Sequence, residues 1–229
     1  MSRAGEILDW LRAHGSLAHR ASLARYNIPD RNMLGVPMGV MKKQAKAWGR
    51  DHETALALWP VGIYEARIVA AHMADPARTD GALMDAWTAD FDNWAICDTC
   101  CFTLFSKAPE RWEKVPAYAA RNEEFVKRTA FALIWAMSTH DKPAKDEAFL
   151  ATFPLIEEGA RDARPLVSKA VDMALRATGK RNAALHAAAL ALSEKLAKSG
   201  DRLQAKIGRK CLKELSSEKV AARLERKAG

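Results

Sequence analysis

Asp92-Asn93-Trp94-Ala95-Ile96-Cys97-Asp98-Thr99-Cys100-Cys101-Phe102-Thr103-Leu104 is the stretch that decides how this chain reads. At about 100° per residue, Ile96, Cys97, Cys100, Cys101 and Leu104 form one buried helical stripe. Asp92 stands in front as a helix N-cap. Trp94 and Asp98 are i and i+4, so they project from one face, and with Phe105 they lie along one border of the stripe. An aromatic plane beside a carboxylate suits a cationic ligand. An Asp at a helix border also commonly bonds a neighbouring helix, and taken alone the stretch favours that plainer reading.

Helical periodicity continues outward in both directions, and β-branched alternating runs are absent. Prolines and glycines punctuate it at Pro29, Pro60-Val61-Gly62, Pro76, Pro109, Pro143, Pro154, Pro165 and Gly200, where helix ends are expected. About a dozen helices follow. Those that look equivalent begin near Gly62, Asp92, Glu123, Arg161 and Asp201, at intervals of roughly 30 to 40 residues, the period of HEAT-like arrays. The expected fold is all-α, a HEAT-like helical-repeat solenoid: a curved right-handed stack of antiparallel helix pairs. Residues 1–229 read as a single domain, with 216–229 a charged end that frays.

The 229 residues are 49% hydrophobic and 28% charged, a globular composition. No apolar run approaches a membrane span, and Met1 to Arg12 is amphipathic rather than a signal peptide. Cys97, Cys100 and Cys101 crowd one helix, which fits a reducing cytoplasm better than a disulfide framework. They lack a nearby fourth ligand for zinc and the βαβ context of a redox Cys-x-x-Cys. No metal and no cofactor is expected. Nor is there a Gly-rich phosphate loop or a Ser-His-Asp arrangement.

The net charge of +8 is unevenly placed. Residues 1–160 hold 19 Lys/Arg against 21 Asp/Glu, whereas 161–229 hold 17 against 7. Such asymmetry points to a polyanionic partner, although a solvated lysine-rich surface has the same composition. Basic faces recur: Lys42, Lys46 and Arg50 near the N-terminus; Lys169, Met173, Arg176 and Lys180, with Arg181 beside them; then Lys206, Arg209, Lys210 and Lys213. Faces of this kind on stacked helices can track a phosphate backbone. Asp172 is expected to pair with Lys169 and Arg176 at the surface. Arg128 falls off the core stripe of its helix, near Phe131, Ala132 and Trp135. There it either grips a phosphate or steadies a carboxylate, or packs as a cation on Trp135. The other tryptophans (10, 48, 59, 87, 112 and 135) read as packing residues rather than ligands.

The order Trp94-x-x-x-Asp98, then Lys127-Arg128-Thr129-Ala130, then Lys169-Ala170-Val171-x-x-x-Leu175-Arg176, resembles the AlkD-type DNA alkylation repair glycosylases. Leu34-Gly35-Val36 followed by Lys42-Lys43, and Glu65 to Ala71, resemble earlier segments of that family, so the likeness spans roughly residues 20–215. It implies a HEAT-like solenoid holding double-stranded DNA in a basic concave groove. It also implies removal of cationic alkylated purines, of the 3-methyladenine and 7-methylguanine type, without a deep base-flipping pocket. Asp98 would be the catalytic carboxylate; Trp94 and Arg128 would contact the sugar and backbone at the lesion. Lys42, Lys43, Lys46, Lys127, Lys169, Met173, Arg176, Lys180, Arg181, Lys206, Arg209, Lys210 and Lys213 would contact DNA. Met173 departs from the pattern, standing where the resemblance places a second tryptophan, and a thioether offers no ring face. A monomeric cytoplasmic, nucleoid-associated enzyme is expected. The alternatives are a non-catalytic HEAT-like DNA-binding protein and a protein-binding scaffold.

Overall fold

In the structure, a computed structural model describing residues 2–26, 28 and 31–228, every regular element among the described residues is helical. The chain forms two compact units, residues 1–110 and 111–229. The first holds α1 (Arg3–Ala13), α2 (Leu17–Leu23), α3 (Met38–Trp48), α4 (His52–Leu58), α5 (Tyr64–Met73), α6 (Gly81–Ala89) and α7 (Trp94–Thr103). The second holds α8 (Arg111–Ala119), α9 (Glu124–His140), α10 (Asp146–Leu150), α11 (Phe153–Gly159), α12 (Pro165–Thr178), α13 (Ala183–Ala197), α14 (Arg202–Leu215) and α15 (Glu218–Ala228). Of the breaks read from sequence, Pro29 lies outside the described residues. No helix among them is long and apolar enough to cross a membrane.

Local sequence explains where the helices begin. The side chains of Asp51, Asp80, Asn182 and Asp201 each accept a backbone N–H from the first turn of the helix they precede, which satisfies donors that helix geometry leaves unpaired. The start of α7 corrects the sequence reading. Its cap is Asn93, whose Oδ1 accepts from Ala95 and Ile96 at 3.1 and 3.0 Å. Asp92 instead accepts from the Asn93 amide at 2.7 Å, which turns the Asn93 oxygen toward the helix. Pro165 opens α12 at a position where the missing N–H costs no hydrogen bond.

The repeat is present as read. The helices expected to be equivalent, α5, α7, α9, α12 and α14, start at Tyr64, Trp94, Glu124, Pro165 and Arg202. Side-chain bonds between helices join neighbours one repeat apart. In the first unit Trp59 Nε1 donates to Asp90 at 2.8 Å, and Gly81 N donates to Glu110 at 2.8 Å. In the second, Arg111 Nε reaches Asp141 at 2.8 Å, and the Ser138 and Thr178 hydroxyls meet at 3.0 Å. Bonding between neighbouring repeats is what a repeat stack requires.

Two features of the first unit set the position of α3. Gly35 has φ +85°, and a Cβ there would lie 2.2 Å from the Ser16 carbonyl oxygen, so only glycine fits. Glu65 on α5 is fully buried, and its carboxylate accepts from the backbone N–H groups of Leu34, Gly35 and Val36 at 2.9, 2.6 and 3.2 Å. The turn leading into α3 is thereby clamped to α5.

In the second unit, α9 packs between α8 and α12, and α13 lies against α14. Gly208 makes that last contact possible, since a Cβ on it would meet the Ala197 backbone nitrogen at 2.2 Å. The segment after Ser216 carries the helix α15, with Val220 4% exposed.

Candidate nucleic-acid interface

The stripe predicted for α7 is the core of the first unit: Ile96, Cys97, Cys100, Cys101 and Leu104 are at most 1% exposed. Burial pushes the Cys100 and Cys101 thiols far up, and the neighbouring Cys97, with Asp98 in the case of Cys101, adds to it. These sulfurs act as small hydrophobic groups. Trp94 and Asp98 are half-buried on the border of the stripe. The Trp94 indole N–H donates to the Tyr26 carbonyl at 2.9 Å, which fixes the ring. Phe105 does not share this border. It sits in the 3-10 turn Phe105–Lys107 after the helix ends and is completely buried. Phe102, one turn beyond Asp98, is the aromatic that continues the line, and i+4 spacing alone would have found it.

Phe102 also lines a cavity of about 470 Å³ together with Lys42, Lys46, Arg50, His72 and Lys107. Lys42 and Lys46 on α3, and Arg50 two residues past its end, border this one space, so the basic line read from the sequence continues beyond the helix. Lys43 is exposed beside it. His72 and Lys107 are additions that no local sequence pattern signalled.

In the second unit the expected surface residues divide into two groups. Arg128 is 3% exposed rather than on an outer face, because α9 is enclosed on most sides. Its guanidinium donates to the Leu166 carbonyl at 2.5 Å. Lys127 lies 3.8 Å from Asp162, whose carboxylate also binds Arg164. Arg181 donates to the carbonyls of Asp141, Lys142 and Ala144 at 2.8, 2.9 and 2.9 Å, and its guanidinium lies 4.6 Å from the centre of the Phe149 ring. It thus closes the C-terminal end of α9.

Asp172 departs from the surface reading altogether. It is 2% exposed, and Arg176 grips it with two bonds of 2.8 Å while Lys210 reaches it from α14 at 2.5 Å. Lys169 is exposed instead. The reason is packing: α14 covers the Asp172 side of α12. Glu214 receives Arg176 and Lys180, and those two cations hold its carboxyl below the usual range against the opposing effect of burial. Arg176, Lys180 and Lys210 are therefore tied to two carboxylates. Lys169, Lys206, Arg209 and Lys213 point to solvent. Met173, Arg176 and Lys180 line a second cavity, of about 150 Å³, with Trp135, Lys142 and Arg223. An indole ring thus stands at the same cavity as Met173, contributed by α9.

The family model described as DNA alkylation repair enzyme matches residues 7–214. No curated protein matches the chain. A solved structure described as a new family of proteins related to the HEAT-like repeat DNA glycosylases, with affinity for branched DNA structures, superposes with a TM-score of 0.79 at 17% identity. The match covers 97% of this chain and 96% of that one. At that identity the likeness establishes an all-α, HEAT-like helical-repeat fold. With the model matching most of its length, the chain belongs to the DNA alkylation repair enzyme family.

Proposed function

We propose that the protein is a monomeric DNA glycosylase that hydrolyses the N-glycosidic bond of cationic alkylated purines, of the 3-methyladenine or 7-methylguanine type, in double-stranded DNA. The observation that carries this reading is the pair Trp94 and Asp98: one turn apart on α7, both half-buried, with the indole held by its bond to Tyr26. An alkylated purine is a cation, so the electrons of the breaking C1′–N bond leave it neutral without prior protonation. The sugar becomes oxocarbenium-like, and a carboxylate fixed beside it stabilises that charge more strongly than it stabilises the ground state, whose positive charge lies on the base. The Trp94 ring face adds attraction for the same cation. A water then adds its oxygen to C1′ and loses a proton, giving an abasic site and the free base. No lysine adduct is involved, so the strand stays intact.

The test is release of 7-methylguanine and 3-methyladenine from methylated duplex DNA. Wild type should release base, and Asp98→Asn should lose about a hundredfold or more of the rate. Equal release by the two proteins would remove Asp98 from the chemistry.

A second reading is favoured by Met173, which leaves its position without a ring, and by the branched-DNA affinity of the structural relative. On it, the chain binds distorted DNA without cleaving a glycosidic bond. It is distinguished by salt-dependent binding that prefers a four-way junction over a linear duplex, with no base released.

A further inference from the structure

We propose that the open cavity bordered by α3, the end of α5, the end of α7 and the following 3-10 turn is a phosphoryl-binding subsite, in which Lys42, Lys46 and Lys107 surround one phosphate group beside His72. The reading goes beyond base excision and does not depend on it.

The charge pattern is one-signed. The cavity lining carries Lys42, Lys46, Arg50 and Lys107 and no carboxylate. Lys42 and Lys46 form no ion pair with any described residue, Lys107 only touches the Thr103 carbonyl at 3.3 Å, and Arg50 is 3.7 Å from Asp75. This contrasts with the second unit, where Arg176, Lys180 and Lys210 are tied to Asp172 and Glu214. Like charges converging on one concavity repel, and a group with one or two negative charges relieves them.

His72 is the second, independent observation. Its Nε2 is closed off from solvent and makes no hydrogen bond to a described residue. Burial first, then the charges of Lys42 and Lys107, hold the imidazole neutral, with a pKa of about 4. The groups facing it are those two lysines, Lys46, Arg50 and the Thr103 hydroxyl, which is itself bonded to the Ala71 and Thr99 carbonyls. An anion placed among them reverses the sign of the local field and draws the imidazole toward protonation. The His72 ring is therefore a built-in reporter of occupancy.

The space, about 470 Å³, exceeds a single phosphate and leaves room for the attached sugar against Phe102. The phosphoryl group has two possible sources: the internal diester of a DNA strand, or the terminal monoester at a strand end.

The experiment follows the His72 ring by long-range ¹H–¹⁵N NMR of the full chain. Inorganic phosphate is titrated in at constant ionic strength, with chloride as control. We expect a saturable shift and a His72 pKa raised from about 4. Lys42→Ala/Lys107→Ala should weaken phosphate about tenfold or more, and Lys198→Ala, at an exposed lysine far along the chain, should leave it unchanged. Short duplexes with 5′-phosphate or 5′-hydroxyl ends then separate the sources: equal effects identify the internal diester, and a response confined to the 5′-phosphate identifies the terminal monoester. No saturable shift with any probe, or an undiminished shift in the folded double variant, overturns the proposal.

Discussion

Glu65 on α5 accepts the Gly35 backbone N–H at 2.6 Å while also receiving those of Leu34 and Val36. One buried carboxylate therefore completes three backbone donors and anchors the turn from which α3 and its lysines emerge. In Glu65→Gln the amide oxygen can serve Gly35 and Val36, but the amide nitrogen then faces the Leu34 N–H. The expected loss is about 1–3 kcal/mol. Gly35→Ala should cost at least as much, because its Cβ would overlap the Ser16 carbonyl and φ is +85°. Urea unfolding of the two variants measures this; wild-type stability in both would show that the clamp contributes nothing.

Asp172 is the corresponding keystone of the second unit. Replacing it with Asn leaves Arg176 and Lys210 facing a neutral group in a buried setting. Removing one member of a buried charge cluster typically costs about 3–5 kcal/mol. Lys169→Ala, one turn away and exposed, should change stability by less than about 0.5 kcal/mol. A thermal-unfolding comparison of the two variants tests the assignment of Asp172 to the interior rather than the surface.

The difference between those two residues shows what was legible in the sequence. The repeat was legible, because hydrophobic period and helix breakers are local: α5, α7, α9, α12 and α14 begin within four residues of the expected starts. The buried stripe of α7 was legible for the same reason. Asp172 and Arg128 were not, because their burial is decided by helices some 40 residues away that cover the exposed side of an amphipathic pattern. His72 and Lys107 join Lys42 through tertiary placement alone. Trp135 is of the same kind: its place beside Met173 at one cavity follows from the packing of α9 against α12.

His72 gives the fold a defined response to acid. Its folded pKa, about 4, lies below the ordinary 6.5, so the unfolded chain binds the proton more readily. The contribution is complete above pH 6.5 and is lost as the pH falls from 6.5 toward 4. The full shift corresponds to at most about 3 kcal/mol, and to roughly half that once solvent screening of a half-buried ring is allowed for. Denaturant unfolding at pH 7.5 and pH 5 should show wild type losing more stability than His72→Gln. Parallel losses would mean that other groups govern the acid response.

The basic residues of the second unit should separate by what they touch. Lys206, Arg209 and Lys213 are exposed on α14, so replacing all three with alanine should leave stability within about 1 kcal/mol. If they meet phosphates, each contributes about 0.9 to the slope of log affinity against log salt, and the triple variant should lower that slope by roughly 2 to 3. Arg181 should behave in the opposite way. Its guanidinium is spent on three carbonyls at the end of α9, so Arg181→Ala should destabilise by about 1–3 kcal/mol. It should leave the salt slope of the folded protein unchanged. Binding of a DNA duplex across a salt series, with unfolding measured in parallel, resolves the two classes. A triple variant with an undiminished slope would move the DNA-contacting surface off α14.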